Sequence, residues 1–281
     1  MTIAGLVYTK RVVLYMKLHI FHSVNSGLFL WDGNSGILVD GIHDGQNDGA
    51  SPMPKAWVNQ LTNYSGLFAH VDGVLFTHLH GDHFQKNGVI HLLNGPRPLA
   101  IYGPGLTENR AEVHPLRQGL FQVYLAGVSI LARDTPHDGQ GFQSAKHKSY
   151  LINMKGESVF ISGDAILTAE DAATFCSFSD RAVEAGFFNV YQLLSSQCHE
   201  FLRKIQPNRI FLEHLPFPED DTYNYWTLAR EIPRRFPRDL PSPELLPHMS
   251  WVDGKSAPWG PHEKGEMTDD LPGIPQHRSL F

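Results

Sequence analysis

The densest chemistry in the chain lies in Thr77-His78-Leu79-His80-Gly81-Asp82-His83, an H-x-H-x-D-H run. It places three imidazoles and one carboxylate within six positions. These are the usual ligands of a zinc ion that does chemistry. The run follows Val74-Leu75-Phe76, which reads as a strand. A strand rises about 3.3 Å per residue and alternates its side chains, so His78 and His80 point the same way at its end. The turn at Gly81 brings Asp82 and His83 round to a second position nearby. Two adjacent metal ions fit this supply, each completed from elsewhere in the chain. A histidine-rich surface loop is the plain alternative. The position at a strand end, with partner residues downstream, weighs against it.

The elements that must hold such a centre follow from turn residues and periodicity. Residues 12–22 and 27–31 read as strands separated at Asn25-Ser26-Gly27, and Gly36–Gly41 reads as a buried strand ending in an acidic turn. Lys55 to Phe68 carries apolar residues at helical spacing. A helix is expected from Asp82, acting as its cap, through Leu93. Leu99–Tyr102 is a short strand, and residues 121–135 and 148–163 give four more. Ala169–Ala185 and Ser196–Ile205 read as helices. Arg209–Glu213 reads as a strand, with a helix near Tyr223–Arg235 after it. Strands first, then strands alternating with helices, suggest two sheets with helices outside.

Four of these strands deliver a ligand type at their C-terminal ends. Val74–Phe76 leads to His78, His80, Asp82 and His83; Val128–Ala132 to His137; Val159–Ile161 to Asp164; and Ile210–Leu212 to Glu213 and His214. Ligands of open sheets gather at that edge. His114 and His147 compete with His137. His137 is favoured because it follows a strand in an adjustable Asp138-Gly139-Gln140-Gly141 loop, whereas His147 immediately precedes a strand. His43, near the acidic turn after Asp40, is a further histidine within reach of the mouth, and a polar surface position explains it equally well.

The H-x-H-x-D-H run, the Phe-Ile-Ser-Gly-Asp-Ala context of Asp164 and the order of the remaining ligands resemble the metallo-β-lactamase fold superfamily. The resemblance covers roughly residues 17–216. It implies an α/β fold, a four-layer αββα sandwich with a dinuclear metal site between the sheets. It also implies one metal on His78, His80 and His137, a second on Asp82, His83 and His214, and Asp164 bridging them. The implied cofactor is two Zn2+, with Mn2+ or Fe as substitutes. The implied reaction is hydrolysis by a metal-bridging hydroxide that Asp82 orients, and His147 is assigned to substrate.

Departures narrow the resemblance. Neither Cys176 nor Cys198 is placed to bind a second metal, as a cysteine does in one group of true β-lactamases. Both are read as packing residues. His80 stands where diiron flavoproteins of the fold have an acidic residue, and the Gly-His-Thr-x-Gly pattern of the glyoxalase II group is absent around His137. The stretches around His137, His147 and Asp164 are more similar to the branch holding ribonuclease Z, cyclic phosphodiesterases and ascorbate-phosphate lactonase. The expected substrate is a small phosphodiester or lactone. An iron-binding oxidoreductase, or a metal-binding protein without turnover, is the alternative.

The 281 residues suffice for a full core, and 42% hydrophobic with 19% charged residues describes a globular chain. A net charge of -6 without a basic cluster gives no reason to expect nucleic acid or a membrane surface as partner. No apolar run reaches the length of a membrane span. Two cysteines fit a reducing, cytoplasmic setting. Residues 1–16 read as an N-terminal extension interrupted by Lys10 and Arg11, with Met16 an alternative start. The catalytic domain is expected over 17–232. Residues 233–281 form a Pro/Gly-rich tail that wraps the body or serves contacts between subunits of a homo-oligomer.

Overall fold

The structure is a computed structural model, and it describes residues 17–45, 49–97, 99–179 and 181–252. The expected extension 1–16 and the tail beyond 252 lie outside the described residues.

The first sheet begins as an antiparallel meander of β1 (His19–His22), β2 (Leu28–Trp31) and β3 (Gly36–Val39). β4 (Gly73–Leu75), β5 (Ala100–Pro104) and β6 (Val113–Leu116) then add in parallel. Parallel neighbours require crossovers. α1 (Lys55–Asn63), followed by a 3-10 turn over Gly66–His70, makes the first, and α2 (Lys86–Leu93) the second.

The second sheet repeats this plan. β7 (Leu120–Leu125), β8 (Val128–Asp134), β9 (Lys148–Met154) and β10 (Glu157–Ile161) form an antiparallel meander. β11 (Val183–Phe188) and β12 (Arg209–Leu212) join in parallel. The crossovers are α3 (Ala169–Phe178), then α4 (Val190–Leu194) with α5 (Ser196–Ile205). Two short helices follow, α6 (Tyr225–Ala229) and α7 (Ile232–Arg235). β13 (Glu244–Leu245) then pairs with β12, while β14 (Ser250–Trp251) returns to pair with β1. Each sheet thus has seven strands, in the orders β14-β1-β2-β3-β4-β5-β6 and β13-β12-β11-β10-β9-β8-β7. The shared plan is topological, and no sequence repeat announces it.

Alternation along the central strands sorts the core into layers. In β3, Ile37 and Val39 face the space between the sheets, where they meet Ile130, Ile152 and Val159 of the second sheet. Leu38 faces outward with Trp57 and Leu61 of α1 and Val89 and Leu92 of α2. In β10, Val159 and Ile161 face inward, whereas Phe160 packs outward on Phe175 of α3 and Phe201 of α5. Strands buried on both faces need helices on both outer sides. The architecture is the expected αββα sandwich. No helix among the described residues is long and apolar enough to cross a membrane.

Six elements differ from the sequence reading. The helix expected from Asp82 begins at Lys86, and its cap is Gln85, whose side chain accepts from Gly88 N at 2.8 Å. Asp82 instead sits in a turn closed by His83 N to His80 O at 3.0 Å. The helix expected over Ala169–Ala185 ends at Phe178, and Val183–Phe188 is a buried strand. β6 was not anticipated because Pro115 masks it, yet proline is admissible on an edge strand. Beyond the boundary read at residue 232, β13 and β14 close an edge of each sheet and Trp251 is buried, so the folded unit reaches at least Val252, the last described residue. Of the two cysteines, Cys198 is buried in the α5 core, whereas Cys176 is exposed on α3; packing therefore accounts only for Cys198.

Candidate metal centre

The ligands converge where the C-terminal ends of β4, β8, β10 and β12 meet. His78, His80 and His137 form one group, and Asp82, His83, Asp164 and His214 a second; within each, ligand atoms lie within 4.8 Å of one another. His78 Nε2 is 3.2 Å from His137 Nε2, and His83 Nε2 is 3.1 Å from His214 Nε2. Asp164 Oδ2 sits among all four rings, 3.3 Å from His83 Nε2, 3.5 Å from His214 Nε2, and 3.8 Å from both His78 Nε2 and His137 Nε2. Asp82 Oδ2 lies 3.3 Å from His214 Nε2 and 3.8 Å from His83 Nε2.

A buried carboxylate behind the rings sets their orientation. Asp40, fully buried after β3, has a left-handed backbone at φ 49°. It accepts from Thr77 N at 2.8 Å and the Thr77 hydroxyl at 2.6 Å, and it lies 2.9 Å from His83 Nδ1. A carboxylate only accepts there, so His83 carries its proton on Nδ1 and turns Nε2 to the site. The Thr77 hydroxyl gives its proton to Asp40, so its oxygen accepts from His78 Nδ1 at 3.1 Å. His137 donates from Nδ1 to the Asp138 carbonyl. His78 and His137 therefore face each other with bare Nε2 lone pairs.

Asp164 is held on three sides. Gly163 before it has φ 55°, and a Cβ there would lie 2.6 Å from His147 Nε2 and 2.8 Å from Thr77 Cβ. Asp164 N donates to His147 Nε2 at 3.0 Å. Asn189 Nδ2 donates to Asp164 Oδ1 at 3.0 Å. Gln192 Nε2 donates to the carbonyls of Gly163 and Ala165, both at 2.9 Å, and its Oε1 accepts from Ser162 Oγ at 2.8 Å and Asn189 N at 2.9 Å. The loop carrying His137 is laced to the same segment by Asp138 N to Asp164 O and Ile166 N to Pro136 O, each 2.7 Å. His214 has φ 60°, a rare conformation for a residue with Cβ, and its N–H is anchored on Asn25 O at 2.9 Å.

His147, assigned from the sequence to substrate, is buried with both ring nitrogens engaged by protein. Nε2 accepts from Asp164 N, and Nδ1 lies 2.9 Å from Thr135 Oγ1. Thr135 Oγ1 is 2.9 Å from Ser149 Oγ, which donates to Ser162 O at 2.8 Å. That relay runs away from the mouth and leaves neither nitrogen for a substrate. Burial pushes His147 down to about 3, which keeps it a neutral acceptor. His43 is also fully buried, with neither ring nitrogen hydrogen-bonded, and burial lowers it to about 3. Glu213 is buried behind His214, and burial raises its carboxyl to about 8. His114 stacks on Tyr102 at 4.6 Å, within the paired strands β5 and β6.

The electrostatics fit a cation. Burial opposes charge on His83 and His214, yet carboxylates overcome it: Asp82, Asp40 and Asp164 raise His83 well above its ordinary value, and Asp164 and Asp82 raise His214 to about 9. Burial likewise opposes charge on Asp82 and Asp164, but the imidazoles hold both carboxyls below the usual range. His78, most affected by burial, is held well below its ordinary value and stays neutral. Bare imidazole lone pairs facing one another around a carboxylate oxygen suit divalent ions. The residues missed in the sequence are the positioning ones, Thr77, Asn189 and Gln192. Their signals were a hydroxyl ahead of the first histidine and an Asn-x-x-Gln capping pair at α4.

No protein-family model and no curated protein sequence matches the chain. Solved structures do. Igni18, a metallo hydrolase from the archaeon Ignicoccus hospitalis, aligns with a TM-score of 0.56 at 14% identity, covering 84% of this chain and 97% of that one. YhfI from Bacillus subtilis, a metallo-β-lactamase fold protein, aligns with a TM-score of 0.55 at 15% identity over 84% of this chain and 99% of that one. CmlA, a diiron β-hydroxylase from Streptomyces venezuelae, aligns with a TM-score of 0.53 at 13% identity over 84% of this chain and 54% of that one, so this chain spans about half of CmlA. The chain has the metallo-β-lactamase fold. At these identities the likeness speaks for the fold, and the site must speak for the chemistry.

Proposed function

We propose that this chain is a metal-dependent hydrolase with a dinuclear centre. The observation that carries the reading is Asp164 Oδ2, which lies 3.3 to 3.8 Å from four imidazole nitrogens of two ligand groups. His78, His80 and His137 would hold one ion, Asp82, His83 and His214 the other, and Asp164 both. Five imidazoles and two carboxylates favour zinc, with manganese or iron able to replace it. Such ions supply Lewis acidity toward a substrate oxygen and make water nucleophilic at neutral pH. The protein supplies the rest. Asp40 and Thr77 fix the ring orientations of His83 and His78, and Asp82 would orient the attacking water.

The substrate is proposed to be a small ester-like molecule, a phosphodiester or a lactone, in keeping with the likeness of the His137 to Asp164 stretch to the phosphodiesterase and lactonase branch. Protein purified without added metal is expected to contain about two zinc ions per chain and to hydrolyse one of these classes. Folded protein that takes up no divalent metal, or metal-loaded protein inert on both classes, would remove the reading.

A further inference from the structure

The seven ligands say nothing of what approaches them, but the surface around them does. Large apolar side chains exposed to solvent concentrate where something binds. Among the described residues these are Val58, Leu120, Tyr124, Phe142, Phe178, Tyr191 and Tyr223. One of the seven, Phe142, touches rings of the metal centre directly, and Tyr191 and Tyr223 reach it through Tyr225. Phe142, 50% exposed, has its ring centre 5.1 Å from that of His80 and 5.5 Å from that of His137. It sits in the turn after Gly139 and Gly141, whose φ values of 91° and 97° suit glycine. Near His214, Tyr225 lies 6.2 Å away ring to ring, with Tyr191 at 5.8 Å and Tyr223 at 5.9 Å from Tyr225. Beside Tyr191 opens a cavity of about 160 Å3, lined also by Asp138, Ala165, Gln197 and Cys198. Aromatic side chains therefore stand next to both ligand groups.

On the Tyr191 side of this rim the charge is negative, with Asp138 lining the same cavity, while the exposed Lys146 follows Phe142 on the other side. Burial, then the carboxylates of Asp138 and Asp221, push the Tyr191 phenol above its ordinary value. Lys148, buried next to His147, is taken up by Asp134 at 2.5 Å and the Gly119 carbonyl at 2.6 Å. A phosphodiester carries a permanent anion and is best bound by arginine forks or lysines. Aromatic faces flanked by carboxylates oppose it and suit a neutral body with apolar surface.

We propose that the mouth of this centre selects a neutral ester or lactone bearing an aromatic ring, with Phe142 and Tyr191 as specificity-determining residues, and that it disfavours phosphodiesters. The proposal rests on the hydrolase reading above and divides its two substrate classes. For an aryl ester the acyl C–O bond breaks and the oxygen of water joins the acyl carbon. One proton of water leaves with the phenol, and no redox partner is needed.

The test uses zinc-loaded full-length protein. Steady-state kinetics on phenyl acetate, methyl acetate and bis(4-nitrophenyl) phosphate are paired with calorimetric binding of benzohydroxamate and acetohydroxamate. Phenyl acetate is expected to be turned over in preference to the phosphodiester, and benzohydroxamate to bind about tenfold more tightly than its methyl counterpart, the discrimination typical of an apolar subsite. Phe142→Ala and Tyr191→Ala, both at exposed positions, are expected to raise KM for phenyl acetate about tenfold and to abolish the preference for benzohydroxamate over acetohydroxamate. Preference for the phosphodiester, dependent on the exposed Lys146, would overturn the proposal and leave the hydrolase reading standing. Absence of turnover on all three, with the benzohydroxamate preference intact, would remove the hydrolase reading and keep the aromatic subsite. Equal affinity for the two hydroxamates would overturn the subsite whatever the turnover.

Discussion

Asn189 Nδ2 donates to Asp164 Oδ1 at 3.0 Å, so the protein holds one oxygen of this carboxylate while the other faces four imidazoles. Asn189 also caps α4, its Oδ1 accepting from Gln192 N at 3.0 Å. The two duties are separable. Serine caps a helix about as well as asparagine but is too short to reach Asp164. Asn189→Ser is therefore expected to keep the melting temperature of the metal-free protein and to weaken metal binding by about 10- to 100-fold, the usual effect of losing a ligand's supporting partner. Calorimetric zinc titration checks this. A Ser variant that binds two zinc ions with wild-type affinity would show that Asn189 acts only as a cap.

Gly163→Ala is expected to be worse than its size suggests. The new methyl would lie 2.6 Å from His147 Nε2 and 2.8 Å from Thr77 Cβ, on a backbone at φ 55°. Overpacking and left-handed strain each cost about 1–3 kcal/mol. The clash also falls on the acceptor that holds Asp164 N. Denaturant unfolding and zinc content should both drop. An unchanged midpoint with full zinc occupancy would mean that the contact relaxes freely.

The division between what the sequence discloses and what it hides follows contact range. The ligand run is legible because His78, His80, Asp82 and His83 are neighbours in the chain, just past the end of β4. The strands β7 to β10 are legible because each is a β-branched or aromatic run bounded by turn residues. The supports are long-range. Asp40 meets Thr77 across 37 residues and Asn189 meets Asp164 across 25, so neither pair leaves a local pattern. β11 is hidden for a different reason. Glu184 and Gly186 interrupt its alternation, and only burial between β10 and β12 makes Val183–Phe188 extended. His147 was misplaced because the order of residues cannot say which way a strand-end histidine turns.

Thr77→Val should expose how much the centre depends on a single hydroxyl. The hydroxyl donates to Asp40 at 2.6 Å and accepts from His78 Nδ1 at 3.1 Å. Valine keeps the shape and leaves two buried polar atoms without that partner. Each such loss costs about 1–3 kcal/mol. Zinc titration is expected to show weakened binding at His78 in particular, and Thr77→Ser, which restores the hydroxyl, should recover it. A valine variant that binds zinc as tightly as the wild type would show that the centre does not depend on the hydroxyl.

Behind His214, whose N–H shares the Asn25 carbonyl with His22 Nε2, the buried pair His22 and His248 is expected to make the fold acid-sensitive. Their rings lie 5.6 Å apart, and Leu215 O lies 3.0 Å from His248 Nε2. Burial lowers both, His248 from an ordinary 6.5 to about 3. A histidine with a depressed folded value binds fewer protons than the unfolded chain. Its stabilising effect is complete above about 6.5 and is lost as the pH falls toward 3. Between pH 6.5 and 5 His248 removes about 2 kcal/mol, at 1.36 kcal/mol per pH unit. His248→Gln keeps an amide donor for the Leu215 carbonyl and cannot be protonated in this range. Urea unfolding of metal-free protein at pH 7 and pH 5 should therefore show a smaller loss for the variant than for the wild type, by about that amount. Equal losses would place the acid sensitivity elsewhere.

Trp251 tests whether the chain beyond residue 232 is part of the fold or an ornament on it. It is 9% exposed, and its ring packs edge-on against Phe21 at 5.4 Å and Phe29 at 6.5 Å. Its strand β14 pairs with β1, in register Phe21 to Trp251. Removing a large buried aromatic costs about 3–5 kcal/mol. A domain of this kind has only about 5–15 kcal/mol in total. Trp251→Ala is expected to lower the denaturation midpoint clearly and to speed proteolysis near β1, although it lies on the first sheet's outer edge and touches no ligand. Metal binding measured under native conditions should survive, because the site hangs on β4, β8, β10 and β12. A variant as stable as the wild type would show that the last strand only lies against the body without supporting it.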